Sequence, residues 1–85
     1  MPSSVHTSVY KDLIGRLVAA RNSAGLTQQA VADRLGKPQS YVAKVEGLER
    51  RLDIIEIMAF AKAIGFDPMP ALKVAWATVR RDRDV

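Results

Sequence analysis

The chain has 85 residues, which suits one domain with one core, and its 48% apolar and 26% charged residues are globular in balance. A domain of this size buries roughly 60% of the surface that its unfolded chain exposes, so it folds alone with little stability to spare. The lack of cysteine excludes a disulfide framework and a thiolate metal site, no apolar run reaches the roughly 18 residues of a membrane span, and a net charge of +4 from 13 basic and 9 acidic residues permits a polyanionic partner without requiring one.

Residues 1–8 are polar and aperiodic and read as a flexible arm with no DNA-wrapping role. They lack the basic region and apolar block of a signal peptide, so a cytoplasmic protein is expected. His6, the single histidine, lies in this arm without partners for a metal or catalytic role. Ser8 is the expected cap of a first helix, in which Leu13, Leu17, Val18 and Ala20 recur at helical spacing up to a stop at Gly25. Thr27 caps a short second helix carrying Ala30, Val31 and Leu35, and Gly36 ends it. Lys37-Pro38 opens a third helix with Val42 and Val45 on its apolar stripe, closed by Gly47. After a charged connection from Leu48 to Leu52, Asp53 caps a fourth helix whose expected apolar face is Ile54, Ile57, Met58, Ala61 and Ile64. Asp67-Pro68 opens a fifth, with Met69, Leu72, Trp76 and Val79 on one stripe, followed by a charged tail over 80–85. No stretch alternates with period 2, so an all-α chain of five helices is predicted, its folded domain spanning 9–79.

The second and third helices are short and meet at a tight turn. Their apolar positions, Ala30, Val31, Leu35, Val42 and Val45, pack two helices at a steep angle, the helix-turn-helix arrangement. Burial of Val42 and Val45 turns Gln39, Ser40, Ala43 and Lys44 outward, with Tyr41 at the edge. A glutamine can bond adenine through two atoms, a serine can donate or accept, and a lysine can donate to guanine or to a phosphate.

The run Gly25-Leu26-Thr27-Gln28-Gln29-Ala30-Val31-Ala32-Asp33-Arg34-Leu35-Gly36 resembles the phage repressor and Cro (XRE-like) family of helix-turn-helix proteins. Gln39-Ser40-Tyr41-Val42-Ala43-Lys44-Val45-Glu46 continues the match in register. So does Glu49-Arg50-Arg51-Leu52-Asp53 before a helix ending Ala63-Ile64-Gly65, so that the resemblance covers about Leu13 to Pro68. It implies a five-helix, repressor-like fold. It also implies that Gln28 contacts a phosphate and braces the first reading residue, as an anion at a helix N-terminus allows. Thr27 beside it, with Arg50 and Arg51 in the loop, belongs to the same phosphate-gripping set. Gln39, Ser40 and Lys44 match base-reading positions, and Tyr41 matches a position that touches a base or a phosphate. Arg21 and Glu46 match a structural ion pair. One departure stands out: relatives carry glycine two residues after the equivalent of Glu46, whereas here Gly47 comes one residue after and Leu48 takes the glycine place. A differently shaped end to the third helix is therefore expected, which bears on the contacts of Glu49, Arg50 and Arg51.

The expected function is a sequence-specific, double-stranded-DNA-binding transcriptional regulator, repressor-like, working as a homodimer on a palindromic operator, with no cofactor, metal, membrane or evident small-molecule ligand. The stripe Met69, Leu72, Trp76 and Val79 is its expected dimer face, the other reading being an internal core. A prophage repressor, a controller of a restriction-modification operon and an antitoxin repressing its own operon all remain open. The alternative class is a protein-interaction module on the same scaffold, such as an antitoxin whose main partner is a protein. No nucleophile motif, phosphate-binding glycine loop or carboxylate pair points to an enzyme.

Overall fold

A computed structural model describes residues 7–81. They form five helices, α1 (Ser8–Ser23), α2 (Gln28–Leu35), α3 (Gln39–Glu46), α4 (Ile54–Ile64) and α5 (Met69–Arg81), and no strand among the described residues. His6 and all of the expected arm except Thr7 and Ser8 lie outside the described residues, as does the tail after Arg81.

Local chemistry sets the helix ends. Thr7, not Ser8, caps α1: its backbone is extended and its hydroxyl accepts the Tyr10 amide, while Ser8 is already helical. Arg80 and Arg81, expected in the tail, form the last turn of α5, where cations face the negative end of the helix dipole. Asp53 begins α4 through a reciprocal capping box, its carboxylate accepting the Glu56 amide at 2.7 Å while Glu56 accepts the Asp53 amide at 2.9 Å. Pro38 occupies the cap position of α3 without a side-chain bond.

The core is built from Leu13, Ile14 and Leu17 of α1, Val31 and Ala32 of α2, Val42 and Val45 of α3, and Ile57, Phe60 and Ile64 of α4. Tyr10 joins it from the start of α1, and its buried hydroxyl accepts the Leu52 amide at 3.0 Å. The expected face of α4 needs correction. Ile54 and Met58 are 50% and 46% exposed, and Phe60 and Ala63 are buried instead. Helix α4 packs on α1 and α2 with Ile57, Phe60 and Ile64 buried, and it has more large apolar residues than one face can hold. Helix α5 packs on α1, where Ala71 is its one buried residue and lets the two backbones come close.

Candidate nucleic-acid interface

Helices α2 and α3 pack on each other through side chains almost wholly out of water: Val31, Ala32, Val42 and Val45. Between them Gly36 is left-handed, with φ of 67°, and open space surrounds its missing side chain. Glycine is needed there for backbone conformation alone. The Lys37 amide closes the turn on the Ala32 carbonyl at 3.0 Å. This fixes α3 by one face and leaves Gln39, Ser40 and Lys44 exposed on the other, with Ala43 and Tyr41 half-buried at its margins. Thr27 and Gln28 stand at the N-terminus of α2, where the Thr27 hydroxyl accepts the Ala30 amide at 3.0 Å and retains its own O–H for donation.

Behind this face runs a continuous polar chain. Arg21 donates through Nε and Nη2 to the two Glu46 oxygens, at 2.6 and 2.9 Å, and through Nη1 to the Leu26 carbonyl at 2.8 Å. Both side chains are 12% exposed, so little solvent screens the pair. Gln28 Nε2 donates to Glu46 Oε1 at 3.0 Å, and Gln39 Nε2 donates to Gln28 Oε1 at 2.7 Å. An ion pair of the scaffold is thus bonded, through one amide, to the first exposed residue of α3.

The end of α3 corrects an expectation. Leu48 itself takes the left-handed conformation, with φ of 63°, so the turn keeps the shape that a glycine there favours. Its partly buried side chain packs against the core, which offsets the backbone strain. Gly47 has an ordinary negative φ but a different constraint: a Cβ there would stand 3.1 Å from the Ala43 carbonyl oxygen. Left-handedness and close approach, which one glycine can serve together, fall here on two successive residues.

The loop after α3 carries the arginines. Arg51 is exposed, with its guanidinium 5.9 Å from the Tyr10 ring centre. Arg50 is engaged, donating to Glu56 at 3.0 Å and lying 4.8 Å from the Tyr41 ring centre. Tyr41 donates its hydroxyl to Glu56 at 3.3 Å and leans on Phe60, 5.9 Å between ring centres. Burial and the Glu56 carboxylate push the Tyr41 phenol above its usual range, so it is a neutral donor at physiological pH. The Asp53 amide, then the Arg50 guanidinium, hold the Glu56 carboxyl below its usual range. Lys37, read in the sequence only as part of the opening of α3, also joins this cluster, its ammonium 5.4 Å from the Tyr41 ring centre. Its place in the turn, directly before Pro38 and the exposed face, was the available signal.

Away from α3, Met69 and Trp76 of α5 are 56% and 63% exposed, and Val79 is exposed beside them. Leu72 is partly buried and lines a groove of about 540 Å³ with Leu13, Ile54 and Ile57. Ile54, Ile55 and Met58 of α4 add exposed apolar surface that periodicity had in part assigned to the core.

Comparison with known proteins agrees with this architecture. The helix-turn-helix family model matches residues 17–69, from within α1 to the start of α5. Among solved structures, an XRE-family like protein from Pseudomonas syringae pv. tomato str. DC3000 is 47% identical, with a TM-score of 0.80 over 88% of this chain and 92% of that one. A search of curated proteins finds no match. The five-helix fold, the matched span and the shared identity together place the chain in the XRE family of helix-turn-helix proteins.

Proposed function

We propose that this protein is a sequence-specific transcriptional regulator of the cytoplasm that binds double-stranded DNA as a homodimer and represses from a palindromic operator. The observation that carries the reading is the division of α3, one face sealed against α2 and the other presenting Gln39, Ser40 and Lys44. Such a helix can enter a major groove with its N-terminal residues against base edges. Gln39 suits adenine, Lys44 suits guanine, and Ser40 and Tyr41 complete the reading face. Thr27 and Gln28 at the start of α2 and Arg50 and Arg51 in the loop are assigned to phosphates on either side. Arg50 meets a phosphate only by leaving or sharing Glu56, whereas Arg51 is available as it stands.

One subunit spans only a few base pairs. A two-fold pair with recognition helices about 34 Å apart reads successive major grooves. Met69, Leu72, Trp76 and Val79 are assigned to the surface that joins the pair, since exposed aromatic and aliphatic groups of this kind anchor interfaces.

Selection from a randomised duplex pool, followed by mobility shifts, tests the reading. The selected sequences should be palindromic, and affinity should fall steeply with salt. Arg51→Ala should weaken specific and non-specific binding alike. A pool that yields no enriched sequence, or an Arg51→Ala loss confined to one sequence, contradicts the assignment.

A further inference from the structure

Resting on the reading of α3 as a DNA-reading helix, we propose that the Arg21–Glu46 ion pair sets base identity at the position read by Gln39, by fixing which way round the Gln28 and Gln39 amides stand. Glu46 and Gln28 are the positioning residues, and Gln39 alone touches the base.

The chain has one direction. The Glu46 carboxylate can only accept hydrogen bonds, and Arg21 fills both of its oxygens from one side. The Gln28 group that meets Oε1 at 3.0 Å must therefore be its NH2. That turns the Gln28 carbonyl toward Gln39, and a carbonyl can only accept. Gln39 must then present its own NH2 to Gln28, as it does at 2.7 Å. Each amide has lost its freedom to flip, although Gln39 lies on the exposed face.

The consequence falls on hydrogen-bond supply. Gln39 Nε2 has two hydrogens, and Gln28 holds one of them. One N–H and one carbonyl oxygen remain for the groove. The major-groove edge of adenine offers an acceptor at N7 and a donor at N6, which this pair satisfies. Guanine offers two acceptors, N7 and O6, so the Gln39 carbonyl would face an oxygen with no hydrogen between them. An unconstrained glutamine could turn both hydrogens toward guanine. The relay thus rejects guanine as well as welcoming adenine, and specificity often needs such a repulsive element. The second hydrogen of Gln28 Nε2 stays available for a phosphate.

The test starts from the sequence that the parent selects. The base pair whose preference disappears in Gln39→Ala is the one that Gln39 reads. Duplexes with adenine or guanine at that place are titrated against the parent, Gln28→Met and Glu46→Gln, with a thermal melt of each protein. Gln28→Met breaks the relay and leaves the ion pair whole, so the test does not depend on Glu46→Gln folding. Glu46→Gln replaces an obligatory acceptor by a group that can also donate. The parent should prefer adenine by roughly ten- to a hundred-fold, and both variants should discriminate less than about threefold. A purely structural role would lower affinity for both duplexes equally and leave the ratio untouched. A folded Gln28→Met that keeps the parental ratio overturns the proposal, as does a parental preference for guanine or a Gln39→Ala that loses no preference. A parent that binds no duplex is a separate failure, because it removes the DNA-binding reading beneath the relay.

Discussion

Replacing Arg21 by methionine removes two charge-assisted bonds to Glu46 and one to the Leu26 carbonyl. The partner left behind is 12% exposed and keeps only the Gln28 amide as a donor. Breaking a buried pair from one side costs about 3–5 kcal/mol, and the remaining Gln28 bond argues for the lower end, about 3 kcal/mol. A domain of 85 residues has roughly 4–13 kcal/mol of stability in all, so this one change consumes a large share. For a domain of this length about 3 kcal/mol corresponds to roughly 12–24 °C in melting temperature. Glu46→Leu should cost a similar amount, because it strands the guanidinium. The double variant, with no stranded charge, should lose about 1–3 kcal/mol less than the two single losses added together. Urea unfolding followed by far-ultraviolet circular dichroism measures all four corners, provided that the slope with denaturant stays constant. Single losses that add within about 0.5 kcal/mol would show that the two charges do not act as a unit, and the energetic reasoning would fail.

Gly36→Ala should cost about 1–2 kcal/mol, all of it from forcing a side chain into left-handed backbone, since the added methyl meets open space. An unchanged melting temperature refutes that origin. Because the Glu56 carboxyl titrates below its ordinary value of 4.5 in the folded protein, its contribution is fully present above that pH and is lost as pH falls through the folded value. Glu56→Gln should therefore flatten the acid limb of the stability curve below about pH 4.5, and a limb as steep as the parent's counts against it. Trp76→Ala should weaken self-association in sedimentation at micromolar concentration, and operator binding with it. A variant as dimeric as the parent, or a parent monomeric both free and on DNA, rules out α5 as the joining surface.

The two halves of the molecule differed in how much their sequence disclosed. In α2 and α3 the large apolar residues are few, so Val31, Val42 and Val45 could face only inward and the exposed set of α3 followed from them, although Ala32, wholly buried in α2, was not among the expected positions. In α4 almost every residue is apolar, so spacing could not choose between a face through Met58 and one through Phe60. That choice was made by packing against α1 and α2, which are distant in sequence. Tyr10 was missed for a related reason: a phenol is polar in pattern, yet this one is buried because the Leu52 amide, 42 residues on, needs an acceptor. The Gln28–Gln39 contact was expected from the resemblance, but the Gln28 bond to Glu46, and with it the direction of the relay, was not, since no spacing discloses it. The left-handed Leu48 ran against residue preference, because core contact repaid what its backbone gave up.

The bond from the Leu52 amide to the Tyr10 hydroxyl reaches beyond the core. It pins the last residue of the arginine-bearing loop to the first helix, while the capping box holds the next residue and Glu56 holds Arg50. The loop backbone is thereby largely fixed during folding, and only the side chains remain to be rearranged by an incoming anion, Arg50 by leaving or sharing Glu56. Encounter with a polyanion should therefore proceed without a slow rearrangement step. Its rate should be set by diffusion and by the screening length of the salt, and should show no lag that depends on the loop.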